Sequence, residues 1–248
     1  MDTAIDAWLA RFDSALRAGD VAGAAALFRP GATWRDLLAF TWTIVTVEGA
    51  GGIAAMLADC LSHARPQSWR RTGPAEGDVA WIAFDTATAT CTGRLTLADG
   101  LADVLFTAVT DLKGHEEARG PTRPQGVVHQ ASRSRQTWSE ARDTRRKRLG
   151  HADQPQVLII GGGQGGLALA ARLKALNVPA LVIERNARAG DSWRNRYRSL
   201  VLHDPVWYDH LPYIPFPAHW PVFTPKDQMG DWLEAYALAL DLDIWTSS

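Results

Sequence analysis

Apolar positions recur every three or four residues at the start of the chain: Ile5, Trp8, Leu9, Phe12 and Leu16 share one helical face that stops at Gly19. Ala24, Leu27 and Phe28 mark a second, shorter helix, with Asp20 placed to cap it and Pro30 to stop it. Residues 34–36 and 41–47 then read as extended, Ile53, Met56, Leu57, Cys60 and Leu61 return to helical spacing, and extended stretches follow at 68–72, 79–85, 86–97 and 103–112. The two stretches at 79–85 and 86–97 are expected to run on through a bend. Helices followed by a run of strands predict an α+β domain over residues 1–112.

Both periodicities fail over residues 113–126, KGHEEARGPTRPQG, where charge, glycine and proline dominate. Residues 113–150 are expected to be a connection containing one short basic helix. His115, Glu116 and Glu117 are adjacent and cannot converge on one ion as an i, i+4 pair does, so they are expected to be solvated. Thr137 and Glu140 form a capping-box signature. Behind it, Arg142, Arg145, Arg146, Lys147 and Arg148 predict a solvated helix that pairs with acidic surface.

A third pattern begins at Val157. Val157, Leu158, Ile159 and Ile160 make a short apolar run expected to be a parallel strand buried on both faces. Gly161, Gly163 and Gly166 then give GxGxxG, with Gln164 and Gly165 in its intervening positions. The first glycine permits a tight turn, the second lets a pyrophosphate approach the backbone, and the third lets helix and strand pack closely. Leu167, Ala170, Leu173 and Leu176 put a helix on the sheet, Asn177 and Pro179 end it, and a second strand closes on Glu184. An acid about 20 residues beyond such glycines accepts hydrogen bonds from ribose hydroxyls. Glu184 therefore favours FAD or NAD over a 2′-phosphorylated nucleotide, although neighbouring Arg185 softens that preference.

Further on, Gly190 and Trp193 stand as GxxW, and Tyr197, Leu200, Leu202, His203, Leu211, Pro212, Phe216, Pro217 and Pro221 form a proline-rich passage. Thr224, Pro225 and Asp227 predict a capped helix carrying Met229, Trp232, Leu233, Tyr236 and Leu240 inward, and Ile244 and Trp245 open a third strand. Trp207, Tyr208, Tyr213 and Trp220 are expected to pack the long connection. From Val157 onward this order of motifs resembles the flavin-containing monooxygenases and their auxin-forming and Baeyer-Villiger relatives. The resemblance implies that the glycine motif binds FAD, with Glu184 on the adenosine ribose, Arg185 beside it, Gly190 and Trp193 near the pyrophosphate and His203 toward the flavin. Asp191 departs from the family's second glycine there. The first 110 residues or so resemble, by element order, the nuclear-transport-factor-like cone fold, whose pocket would be walled by Trp34, Asp36, His63 and Trp69. Together these give an α+β cone domain followed by an incomplete α/β Rossmann-like FAD-binding domain over 151–248.

The resemblance further implies a reaction in which NADPH reduces FAD and the reduced flavin transfers one oxygen atom of dioxygen to a small organic substrate. No second GxGxxG for NADPH is present, so the chain is expected to be the N-terminal part of a longer enzyme and inactive alone. Two other readings stay open: a small-ligand-binding module with a vestigial nucleotide site, and a flavin oxidoreductase without oxygenation.

Composition narrows the field. Lys and Arg total 26 against 27 Asp and Glu, which gives no global case for nucleic acid or a membrane surface as partner. No apolar segment is long enough to span a bilayer, and the N-terminus lacks the basic start and apolar core of a signal peptide, so a cytoplasmic location is expected. Cys60 and Cys91 lie in apolar stretches without metal-ligand spacing and read as reduced thiols.

Overall fold

The computed structural model describes residues 2–126 and 135–248. Two compact units divide the chain, Met1–Glu116 and Glu117–Ser248.

In the first unit, helices α1 (Asp2–Ala18) and α2 (Val21–Ala25) precede strands β1 (Phe28–Leu37) and β2 (Ile44–Glu48). Helix α3 (Gly49–Ala64) and strands β3 (Gln67–Arg71), β4 (Val79–Asp85), β5 (Ala89–Ala98) and β6 (Leu101–Leu112) follow. The strands form one sheet in the order β2-β1-β6-β5-β4-β3, antiparallel except where β1 runs parallel to β6. Alternation decides which face is buried: Cys91, Leu95 and Leu97 of β5 point inward while Thr90 and Arg94 point out. All five apolar positions of α1 are buried. This is the α+β architecture expected from the sequence.

Aromatic rings fill the interior. Phe12 meets Phe28, Trp34 and Trp69 edge-on at 5.0 to 5.9 Å between centroids, and Trp69 stacks on Phe84 at 4.0 Å. Three local expectations are corrected. Helix α2 ends at Ala25, and Phe28 already pairs with Ala102 in β1. Pro30 falls in the register shift between Phe28 and Thr33, where a strand tolerates a missing donor. Residues 41–43 are a turn, because the carboxylate of Asp36 collects the Phe40 and Thr41 amides. Strands β4 and β5 are separate arms of a hairpin, since Thr86 closes the turn by accepting the Ala89 amide on its hydroxyl at 3.0 Å.

The second unit contains α4 (Trp138–Arg148), β7 (Val157–Ile160), α5 (Gln164–Ala175), β8 (Ala180–Glu184), the single turn α6 (Asp191–Arg194), α7 (Lys226–Ala239) and β9 (Ile244–Thr246). Its sheet is parallel, in the order β7-β8-β9. Only the middle strand is covered on both faces, with Leu181 and Val182 both buried. Strand β7 is an edge: Ile159 packs under α5, but Leu158 and Ile160 are 55% and 84% exposed, which corrects the expectation of burial on both sides.

Helix α4 carries its capping box, Thr137 and Glu140 each bonding the other's amide. Its basic residues find acids: Arg145 reaches Asp241 and Asp243, Arg146 reaches Asp241, and Arg148 forks onto Asp153. Helix α7 starts differently from expectation. Pro225 is its N-cap, the buried Thr224 hydroxyl has no partner among the described residues, and Asp227 takes the Lys226 ammonium instead. Glu117 is likewise not solvated. Its buried side chain accepts from the Arg172 guanidinium and the Tyr213 hydroxyl, each at 2.5 Å. Trp220 packs against Phe216 and Trp232, whereas Trp207, Tyr208 and Tyr213 stand 45% to 77% exposed.

Candidate dinucleotide site

The three motif glycines are glycine for three different reasons. Gly161 has φ +101, a conformation that side-chain-bearing residues avoid. A Cβ on Gly166 would lie 2.0 Å from the Gly161 carbonyl oxygen, so the first turn of α5 rests directly on the glycine turn. Gly163, the N-cap of α5, has an ordinary φ of −81 and open space around it. The nearest atom to an added Cβ is the Ser192 hydroxyl at 3.5 Å. Neither its backbone nor its packing requires glycine, and the empty cradle it leaves faces the free amides at the start of α5, where anions bind.

Glu184 ends β8 with its carboxylate buried. One oxygen accepts the Gly162 amide at 2.7 Å, and the other accepts the Asn186 amide and side chain at 2.7 and 2.6 Å. A carboxylate offers about four acceptor sites; one of these bonds braces the glycine turn and two hold Asn186. Asn186 was invisible to the motif reading; its position two residues past the acid was the available signal. Arg185 is exposed.

On the other side of the turn, the Trp193 indole donates to Gln164 at 2.9 Å, and the Arg196 guanidinium lies 4.9 Å over the Trp193 ring. Gly190 is buried at φ +85, and a Cβ there would sit 2.2 Å from the Gly230 carbonyl oxygen of α7. The close crossing of α6 and α7 therefore accounts for this glycine. Asp191, the awkward acid, is turned away onto the Arg188 amide and the Arg194 guanidinium. Arg194 also grips Asp231 and Glu234, and Arg188, the largest influence on Glu234, holds that carboxyl below the usual range.

A cleft of about 500 Å³ is lined by Gln164, Gly165, Trp193, Arg196, His203 and Asp209, among others. Gln164, Gly165, Trp193 and His203 thus line one cavity, Gly161, Gly163, Gly166 and Glu184 form the turn at its head, and Gly190 and Arg185 lie outside its lining. In the first unit, Asp36 is fully buried. It accepts from Phe40, Thr41 and the Thr107 hydroxyl, which in turn accepts the Trp34 indole. His63 contacts the Phe40 carbonyl at 3.2 Å. Trp34, Asp36 and Thr107 are thus bonded to one another in the interior, whereas His63 is exposed. Among the described residues no group of three or more His, Cys, Asp or Glu is placed to hold a metal, and no helix is long and apolar enough to cross a membrane.

A glycine turn between a parallel strand and a helix, with an acid closing the next strand, makes this a Rossmann-like unit. Residues 159–223 match the family model described as NAD(P)-binding Rossmann-like domain. Over 86 residues the chain is 45% identical to indole-3-pyruvate monooxygenase YUCCA1 of Oryza sativa subsp. japonica, covering 34% of this chain and 21% of that protein. It is 41% identical over 88 residues to an uncharacterized oxidoreductase, CzcO-like, of Geobacillus kaustophilus (strain HTA426), covering 36% and 25%. An NTF2-like protein of unknown function from Cytophaga hutchinsonii ATCC 33406 aligns with TM-score 0.34 and 14% identity, covering 42% of this chain and 87% of that one. The similarity to these relatives lies in a stretch of 86–88 residues, and the chain spans about a fifth to a quarter of the length of the curated relatives it matches.

Proposed function

We propose that residues 151–248 form the FAD-binding portion of an NAD(P)H-dependent flavin monooxygenase acting on a small organic substrate. The observation that carries this is Gly163: a glycine that neither its φ nor its neighbours require, set at a helix N-terminus next to Gln164 and Gly165 of the cleft lining. In this reading α5 holds the pyrophosphate, and Glu184, braced by Gly162 and Asn186, takes a ribose hydroxyl with its remaining acceptor site. A buried carboxyl group at this place, Glu184 leaves no partner for a 2′-phosphate, which supports FAD over NADP at this turn. Trp193 and Gln164 wall the cleft, and Arg196 sets a cation beside the anionic ligand. When bound, the flavin supplies hydride acceptance from a nicotinamide and reaction with dioxygen; the protein supplies binding and orientation. Cys60 and Cys91 are buried free thiols, which suits a reducing, cytoplasmic setting.

Titration of the 248-residue chain with FAD, followed by flavin fluorescence, tests the reading. Saturable binding that Gly163→Ala weakens at least tenfold is expected. Absence of binding, or an affinity untouched by Gly163→Ala, overturns it. NADPH-dependent oxygen consumption by a longer chain, with and without amine, sulfide or ketone, tests the oxygenation.

A further inference from the structure

The lining of the cleft includes a carboxylate, Asp209, whose buried oxygen has no partner among the described residues. Asp209 donates its amide to the Val206 carbonyl, but no hydrogen-bond donor among the described residues reaches its side chain, and its Oδ2 is also shut off from solvent. A buried acceptor in that state is costly unless something else supplies the bond. Two polar neighbours in the lining have contacts of their own. Arg196 stacks on Trp193, and the His210 Nδ1 accepts the Phe216 amide at 3.0 Å. His203, Asp204 and Tyr208 complete the polar lining around it.

We propose that Asp209 is the hydrogen-bond acceptor of this cleft and takes hydroxyl or N–H donors from the part of a dinucleotide that lies beyond the pyrophosphate. The inference rests on the dinucleotide reading above and adds a ligand contact to it. The same cleft is lined by Gln164 and Gly165, in the first turn of α5, by Asp209, and by the apolar Leu202, Leu211 and Met229. A ligand held by its pyrophosphate at α5 therefore presents its remaining half, with the hydroxyl-rich chain that FAD carries there, along the wall that Asp209 occupies.

The electrostatics agree. Burial first, and the neighbouring Asp204 second, push the Asp209 carboxyl up, with His210 opposing in part. A donor ligand favours the ionised carboxylate, so binding lowers that raised pKa and releases a proton. Affinity is then greatest above the free-state pKa and weakens as pH falls through it.

The test compares FAD with ADP, which ends at the pyrophosphate, on the full chain carrying Asp209→Ala or Asp209→Asn. Thermal melting checks that both variants fold. The expected result is that Asp209→Ala weakens FAD about tenfold and leaves ADP unchanged, while both variants flatten the acid-side loss of FAD affinity. The histidines remain in each variant, so the lost slope belongs to Asp209. FAD affinity and pH profile unchanged by both variants, or equal loss of FAD and ADP, overturns the assignment of Asp209 alone. A wild-type chain that binds no FAD overturns the dinucleotide reading and this inference with it.

Discussion

Gly163→Ala and Gly166→Ala change the same motif by one methyl each, and the structure predicts opposite consequences. At Gly166 the new Cβ would lie 2.0 Å from the Gly161 carbonyl oxygen and 3.3 Å from Ile159. A carbon and a carbonyl oxygen settle at roughly 3.3 Å or more, so the turn and helix must part by about 1 Å or more. Overpacking of this kind costs about 1–3 kcal/mol, and the obstacle is backbone, which cannot swing aside as a side chain does. At about 2–4 °C per kcal/mol, the second unit should melt roughly 2–12 °C lower. At Gly163 the methyl enters open space at an allowed φ. Reduced freedom of the unfolded chain contributes about 0.4–1 kcal/mol of stability, and the poorer N-cap removes a similar amount. Its melting temperature should therefore stay near wild type while FAD binding collapses. Differential scanning calorimetry paired with FAD titration reads both quantities. A stable Gly166→Ala, or a Gly163→Ala that loses stability but keeps its ligand, refutes the division of roles.

Asp36→Ala strips the acceptor from the Phe40 amide, the Thr41 amide and hydroxyl and the Thr107 hydroxyl; we expect a loss of about 3–5 kcal/mol in urea unfolding of the first unit, and wild-type stability would show that this network contributes nothing. For Glu117, burial pushes the carboxyl up, but the Tyr213 hydroxyl and the Arg172 guanidinium overcome it and hold the pKa below the usual range. Its stabilisation is thus full above the ordinary carboxylate range and lost as pH falls through the depressed value. Glu117→Gln should cost about 1 kcal/mol near neutral pH, given the half-exposed Arg172, and flatten the acid limb of a melting-against-pH curve; an unchanged limb sinks the assignment. Arg194→Lys replaces a fork that reaches the Ala189 carbonyl, Asp191, Asp231 and Glu234 at 2.8 to 3.0 Å with a point charge. A melting loss equivalent to about 1–2 kcal/mol is expected, and none would mean that the acids are held by Arg188 alone.

Much of this protein was legible as local pattern. The face of α1, the capping box of α4 and the strand, glycine turn and helix from Val157 are set by period, φ and capping, which act within a few residues. The acid at Glu184 was legible because the βαβ unit fixes its distance from the turn. What escaped were partners from far along the chain. Thr224 reads as a cap, but Pro225 takes that place. Phe28 has helical spacing, but the pairing with Ala102 makes it strand. Glu117 reads as solvated until Arg172 and Tyr213 arrive beside it. Ile160 has the composition of a doubly buried strand, yet burial depends on what lies alongside, and β7 has a neighbour on one side only. The sequence by itself determined the ligand-binding grammar, because a glycine turn and its helix are local objects. Tertiary structure alone decided which glycine answers to packing and which does not, and left Asp209 Oδ2 without a donor among the described residues, because close approach and desolvation are properties of space rather than of order along the chain.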